Sequence, residues 1–338
     1  MVRTRASKPT LPEQIPAIKQ LPSMQLCDLY QREMIRAARS WLVAGKSHRT
    51  IDGYLRAAAQ FHAYLVAHEY STEPDAIVGH QVEEWLLELR NRPNSRTGAA
   101  LKASTPYGYY KGLQQWFRYL VGKNYIPKEK NPIADVPCPA RPQIAIEAYS
   151  GHTFRALLDA CAGDDYEAIR DLAIVTMMAD TGLRRQEIGM LQIDSIVDCS
   201  YVSVIGKGGR PRTVVLDDMT QSALELYLRA RGKRKDATQY PDLWLGKQGP
   251  FRDWGIRHML QKRAQMAGLG DEHIHPHRFR HSRAIRWLLD GGSETGLKAS
   301  MGWSSSQMIE RYTKAAHEKV AHADHRRLGL MAKWMNED

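Results

Sequence analysis

Between residues 26 and 120 apolar side chains recur every third or fourth position, the signature of amphipathic helices. Leu26, Leu29, Tyr30, Met34, Ala37, Ala38 and Trp41 outline a first helix. Ile51, Tyr54, Leu55, Ala58, Phe61, His62 and Leu65 outline a second, with Ser47 or Thr50 placed to cap it. Val82, Trp85, Leu86 and Leu89 make a third stripe; Leu113, Trp116, Phe117 and Leu120, after Ser104-Thr105-Pro106, make a fourth. Four such helices predict a compact bundle over residues 25–126. Upstream, Pro9, Pro12, Pro16 and Pro22 among basic and polar residues predict a flexible basic arm over 1–24. Downstream, Pro127, Pro132, Pro137, Pro139 and Pro142 suit neither helix nor central strand and mark 127–148 as a Pro-rich linker.

From 149 to 316 the pattern is again helical, with one β-insertion. Tyr201–Ile205 and Thr213–Leu216 are β-rich runs flanking the glycine-bearing loop Gly206–Arg212, which predicts a hairpin. Helical spacing continues through Gln221–Arg229, Trp254–Met266, Pro276–Leu289 and Ser305–Val320, and residues 317–338 form a tail. The expected fold class is mainly α with a small β-hairpin insertion (α+β), in two domains, and the chain has no internal repeat.

Composition narrows the function. With 338 residues the chain is long enough for two hydrophobic cores of about 150 residues each. The longest apolar run, around Leu172–Ala179, is far too short to span a bilayer, and the N-terminal basic residues Arg3, Arg5 and Lys8 precede no apolar segment. Neither a membrane anchor nor a secretory signal is expected. The four cysteines (Cys27, Cys138, Cys161, Cys199) form no CxxC pair, which argues against a disulfide scaffold or cysteine zinc site and for a reducing, cytoplasmic setting. The net charge of +11 calls for an acidic partner, most commonly nucleic acid. Basic residues gather near the ends of the bundle helices, where they form either a solvated face or a DNA-contacting one. Lys46, Arg49, Arg56, Lys102 and Lys111, with Arg210 and Arg212 of the hairpin, are the candidates for DNA contact.

Four short segments carry the candidate chemistry. In Thr181-Gly-Leu-Arg184-Arg-Gln-Glu187, Gly182 can end one helix and Arg184 open the next, with Glu187 three residues on to hold the guanidinium. Lys207 sits at the hairpin tip between glycines that let a backbone approach a ligand. In His275-Pro-His277-Arg278-Phe279-Arg280-His281, Pro276 starts a helix that Gly291-Gly292 can end, and His277 and Arg280 fall one turn apart near an anion-favouring N-terminus. The spacing of His277 and His281 also admits a metal, but no carboxylate lies between them and Arg278 and Arg280 would repel a cation. In Met301-Gly-Trp303-Ser…Tyr312 the serines can cap a helix on which Met308, Ile309 and Tyr312 share a face.

Each segment alone fits a salt bridge, a turn lysine or a core tyrosine. Together, two arginines, a lysine, a histidine, an indole and a tyrosine form a metal-free kit for attacking a phosphodiester. A tyrosine oxygen can hold a covalent phosphoryl group, and guanidiniums can neutralise the charge that builds on the phosphate. A lysine can protonate the departing oxygen, a histidine can exchange the nucleophile's proton, and an indole N–H can only donate.

The order and spacing of these segments resemble the tyrosine recombinases, the family of phage integrases and Xer-type resolvases. Phe279 stands where the family's His-x-Leu-Arg-His box has leucine, and Trp303 where most members have histidine. The resemblance covers roughly 145–316, and the bundle is similar to the family's core-binding domain. It implies Arg184, Lys207, His277, Arg280, Trp303 and Tyr312 as the catalytic set, with Glu187 and His281 in support, no cofactor and no metal. It further implies site-specific breaking and rejoining of DNA through a 3′-phosphotyrosyl intermediate, without ATP. The partners implied are a double-stranded recombination site, a homotetramer on two duplexes assembled through the tail, and an accessory DNA-bending or directionality protein. A catalytically silent DNA-binding relative and a type IB topoisomerase are the competing readings.

Overall fold

Helices in this chain start where a short polar side chain can accept an otherwise unmet main-chain N–H. Ser47 accepts from Thr50, Ser150 from Thr153, Asp165 from Glu167 and Ala168, Asp217 from Met219, and Ser293 from Gly296. The computed structural model describes residues 15–20, 26–94, 98–99, 101, 104–140, 148–206, 209–270, 272, 274–303, 309–310, 321–322 and 324–335. The chain divides between residues 144 and 145 into two compact units.

The first unit is helical: α1 (Pro16–Gln20), α2 (Asp28–Val43), α3 (His48–Ala67), α4 (Gly79–Asn91) and α5 (Ser104–Gly122). Its core is built on aromatic side chains, because large rings bury much apolar surface at little rotamer cost. Phe61 lies edge-on to Trp85 and Phe117, with ring centroids 5.2 and 6.0 Å away, and Tyr30 meets Trp116 at 5.4 Å. Two boundaries differ from expectation. Residues 15–20, read as part of a flexible arm, bury Ile15 and Ile18, and the Ala17 N–H donates to Asp52 of α3. The start of the expected linker also belongs to the bundle: Ile133 and Val136 are buried in its core, and Tyr110 donates to the Val136 carbonyl. In both places isolated apolar residues among prolines outweigh the prolines.

The second unit is mixed. Its helices are α6 (Gly151–Asp159), α7 (Tyr166–Thr181), α8 (Arg185–Gly189), α9 (Asp218–Gly232), α10 (Asp253–Met266), α11 (Pro276–Leu289), α12 (Glu294–Met301) and α13 (Leu330–Trp334). β1 (Ile196–Val197), β2 (Tyr201–Ile205) and β3 (Pro211–Val215) form an antiparallel sheet in that order, and β4 (Leu245–Gly246) pairs with β5 (Gly249–Pro250). The bounds of α11 and of β2 agree with the sequence reading, whereas β3 begins at Pro211 and takes Arg212 out of the expected loop; β1, β4 and β5 are too short to leave a periodic trace. Of the helix expected over 305–320, only residues 309–310 are described.

α7 is the central helix, buried on nearly every side, and it packs against α6, α8, α9, α10 and α11. It carries even its charges inward. Asp171 accepts from both Arg170 and Arg263, so each buried charge is paired. Among the described residues no helix is long and apolar enough to cross a membrane.

Asp198 and Cys199 make the turn between β1 and β2 with φ of 49° and 54°, in the left-handed region that side chains resist. Cys199→Gly should therefore raise the unfolding free energy by about 0.5–1 kcal/mol, read from denaturant midpoints at unchanged m.

Candidate active site

α7 ends at Gly182, which adopts φ 60° and turns the chain so that Arg184 becomes the N-cap of α8. Glu187, in the first turn of α8, reaches back: one carboxylate oxygen accepts from the Arg184 main-chain N–H and the other from Arg184 Nη1, both at 2.8 Å. The Arg184 side chain is 34% exposed, whereas that of Glu187 is 6% exposed. Arg184 thus offers a guanidinium to solvent from a carboxylate fixed beneath it.

α11 contributes Arg280, which is 2% exposed. Its Nη1 donates to the Gly182 carbonyl (2.8 Å) and its Nη2 to the Met301 carbonyl (2.6 Å). One guanidinium thereby joins the end of α7 to the end of α12. Both carbonyls lie at helix C-termini, where the backbone dipole favours a cation. Just past Met301, Gly302 takes φ 61° as the cap of α12, and the Trp303 ring packs with its centroid 5.6 Å from the Arg280 guanidinium carbon. Trp303 is buried in a small apolar cluster with Ala284, Leu288, Met301 and Ile309.

His277 is exposed at the second position of α11, its ring 4.9 Å from that of buried His281. The His275 ring caps the same helix, accepting from the Arg278 N–H. Phe279, in place of leucine, fills an aromatic pocket against Tyr149 and Phe154 at 5.2 and 5.7 Å. Lys207 and Tyr312 lie outside the described residues, as does Lys102. The structure thus brings together Arg184, Glu187, Arg280 and Trp303.

Of the residues expected to contact DNA, Lys46, Arg49 and Arg210 are exposed. Arg56 is paired with Asp52 at 2.8 Å, and Lys111 donates to Gln114 with its ammonium 5.7 Å from the Tyr110 ring centroid. Arg212 corrects its expectation. It is turned inward, its side chain 12% exposed, with Nη1 and Nη2 on the two oxygens of Glu187 and Nε on the Ser300 carbonyl. The signal that locates it is strand alternation: Arg212 shares a face of β3 with buried Val214 and pairs with buried Val204 of β2.

The model of the phage integrase family matches residues 149–319, a stretch that contains every one of the catalytic candidates. The chain belongs to the phage integrase family and is a site-specific tyrosine recombinase, a DNA breaking-and-rejoining enzyme. It is 29% identical over 282 residues to the tyrosine recombinase XerC of Neisseria meningitidis serogroup C, covering 82% of this chain and 88% of that one. It is 28% identical over 296 residues to XerD of Pseudomonas aeruginosa, covering 84% and 93%. The fold is shared with the XerH recombinase in its post-cleavage complex with a palindromic difH substrate (TM-score 0.67, 17% identity, 91% of this chain and 93% of that one). It is shared also with residues 75–356 of lambda integrase, a dimer bound to a COC′ core site (TM-score 0.61, 14% identity, 83% and 94%).

Burial alone would raise the Glu187 carboxyl, but hydrogen bonds from Arg212 and the Arg184 main chain, with the charge of both guanidiniums, hold it below the ordinary carboxylate value. The unfolded chain therefore binds this proton more tightly than the native one. The stability Glu187 contributes is complete above its unfolded pKa of about 4.3 and is lost as pH falls through the depressed native value. Thermal melts across this range should show Glu187→Gln losing less stability on acidification than wild type; parallel pH profiles would contradict the assignment.

Proposed function

We propose that Tyr312 is the nucleophile of this recombinase and that Arg184, Lys207, His277, Arg280 and Trp303 serve its reaction at one phosphodiester. The observation that supports this most directly is the pair of bonds from Arg280 to the Gly182 and Met301 carbonyls, which fixes the Arg184 turn and the Trp303 turn with respect to each other. The two guanidiniums supply positive charge where the phosphate gains negative charge, with Arg184 open to solvent and Arg280 buried on the Gly182 and Met301 carbonyls. The Tyr312 oxygen forms the new P–O bond at the 3′ side while the bond to the 5′ oxygen breaks. His277 takes the phenolic proton, and Lys207 gives one to the departing 5′ oxygen. The 5′ hydroxyl of a partner strand then attacks the phosphotyrosine and regenerates the phenol, so bonds and protons balance without a cofactor or ATP.

The substrate is a double-stranded recombination site, consistent with the DNA-bound state of the XerH and lambda integrase relatives. The domains serving this reaction are the bundle as a core-binding module and residues 149–316 as the catalytic module. The working assembly is a homotetramer on two duplexes, joined by the tail. Leu328, Met331, Trp334 and Met335 are each at least 40% exposed, apolar area suited to a neighbouring subunit. The assembly leaves room for an accessory DNA-bending or directionality protein. The setting is the cytoplasm, at the nucleoid, of a bacterial or phage system, in keeping with four free cysteines.

Incubation with a nicked duplex, which traps the covalent intermediate, tests the nucleophile. Tyr312→Phe should form no protein–DNA adduct while binding the duplex as wild type does, and a persisting adduct would falsify the assignment. Arg184→Ala should slow adduct formation by about 100- to 1,000-fold. Truncation after residue 318 should abolish tetramers in sedimentation while a single site is still bound; intact tetramers would remove the tail from the assembly.

A further inference from the structure

The guanidinium of Arg212 touches two elements that otherwise meet the site separately. Its Nη1 and Nη2 donate to Glu187 Oε1 and Oε2 at 3.1 and 2.8 Å, and its Nε donates to the Ser300 carbonyl at 3.1 Å. Glu187 in turn holds both the main chain and the side chain of Arg184. Ser300 lies three residues before Trp303, and the next carbonyl, of Met301, is the one that Arg280 binds. The fit is close: a Cβ on Gly302 would stand 3.1 Å from Cδ, Nε and Nη1 of Arg212. Only a planar fork of donors can span a carboxylate and a carbonyl in this way; an ammonium on a flexible stem cannot.

Resting on the recombinase reading above, we propose that Arg212 is a positioning residue for strand cleavage, holding Glu187 and thereby Arg184 in register with the α12 turn that presents Trp303, without touching DNA itself. Removing it leaves Glu187 with one guanidinium instead of two. The carboxylate then draws on Arg184 alone, and the last turn of α12 loses the donor that ties it to β3. Displacements of about 1 Å at a site of this kind cost roughly 100-fold in rate. A phosphate contact behaves differently: it needs only the charge, which lysine preserves, and each one lost lowers the salt dependence of DNA affinity by about 0.9 in log–log slope.

The test uses the full chain and a nicked duplex selected by the wild-type protein from a randomised pool. Single-turnover adduct formation and DNA affinity across a salt series are measured for wild type, Arg212→Gln, Arg212→Lys, Glu187→Gln and the double variant Arg212→Gln/Glu187→Gln. Both Arg212 variants should be slowed by about 100-fold at unchanged DNA affinity and salt slope, the unchanged affinity also reporting an intact fold. In the Glu187→Gln background, Arg212→Gln should add little further loss, because the two residues act as one unit. Full activity of Arg212→Lys, a reduced salt slope, or additive losses in the double variant would each overturn the proposal. A wild-type chain that binds the duplex but never forms an adduct would overturn the reading of Tyr312 and this proposal with it. A normal wild-type adduct with normal rates in the Arg212 variants overturns this proposal alone.

Discussion

Three guanidiniums crowd the second unit near the end of α7, and what permits their crowding is one carboxylate and three helix-end carbonyls. Glu187 lies between Arg184 and Arg212, each of its oxygens accepting two hydrogen bonds. Arg280 is matched by the carbonyls of Gly182 and Met301, and Arg212 takes that of Ser300 as well. Helix C-termini leave carbonyls unmet by intrahelical partners and carry a partial negative charge, so α7 and α12 act as counter-ions built from main chain. Buried ion pairs of this kind contribute little net stability, since desolvation offsets most of their attraction. What they confer is geometry: a polar network in which every member is satisfied has one arrangement.

Much of this is legible in the sequence, and the limits are physical. Gly182 as a helix stop, Arg184 at the next start, and Glu187 reaching back all follow from local rules of capping and spacing, which act within a few residues. Pro276 and Gly291 bracket α11 for the same reason. Arg212 misleads because charge alone makes a basic residue beside a glycine loop look like a DNA contact. The alternation Pro211 out, Arg212 in, Thr213 out, Val214 in points it inward instead. The Ser300 and Met301 carbonyls leave no such signal. They become acceptors only when α12 packs beside β3 and α11, and main-chain groups leave no mark in composition.

The two departures from the family's motifs have local explanations. Phe279 fits because Tyr149 and Phe154 surround it edge-on, so a larger ring is accommodated by an aromatic pocket. Trp303 sits with its ring against the Arg280 guanidinium, a favourable contact of cation and π face that a smaller imidazole would make less well. The first unit is organised differently: its interior is lined by rings, with Glu33 buried beside Tyr119 and His62 beside Tyr30, and its described lysines and arginines are exposed or half-buried. Segments that proline density alone would leave outside that interior join it through Ile15, Ile18, Ile133 and Val136.

Ile309 anchors the chain beyond the Trp303 turn. Its side chain is buried in the same cluster as Trp303 and Met301. Withdrawing Ile309 from that cluster would put its side chain into water, at a cost of about 1.5–3 kcal/mol. The apolar seat of a single isoleucine thus moors the chain beyond α12 to the same cluster that holds the Trp303 ring.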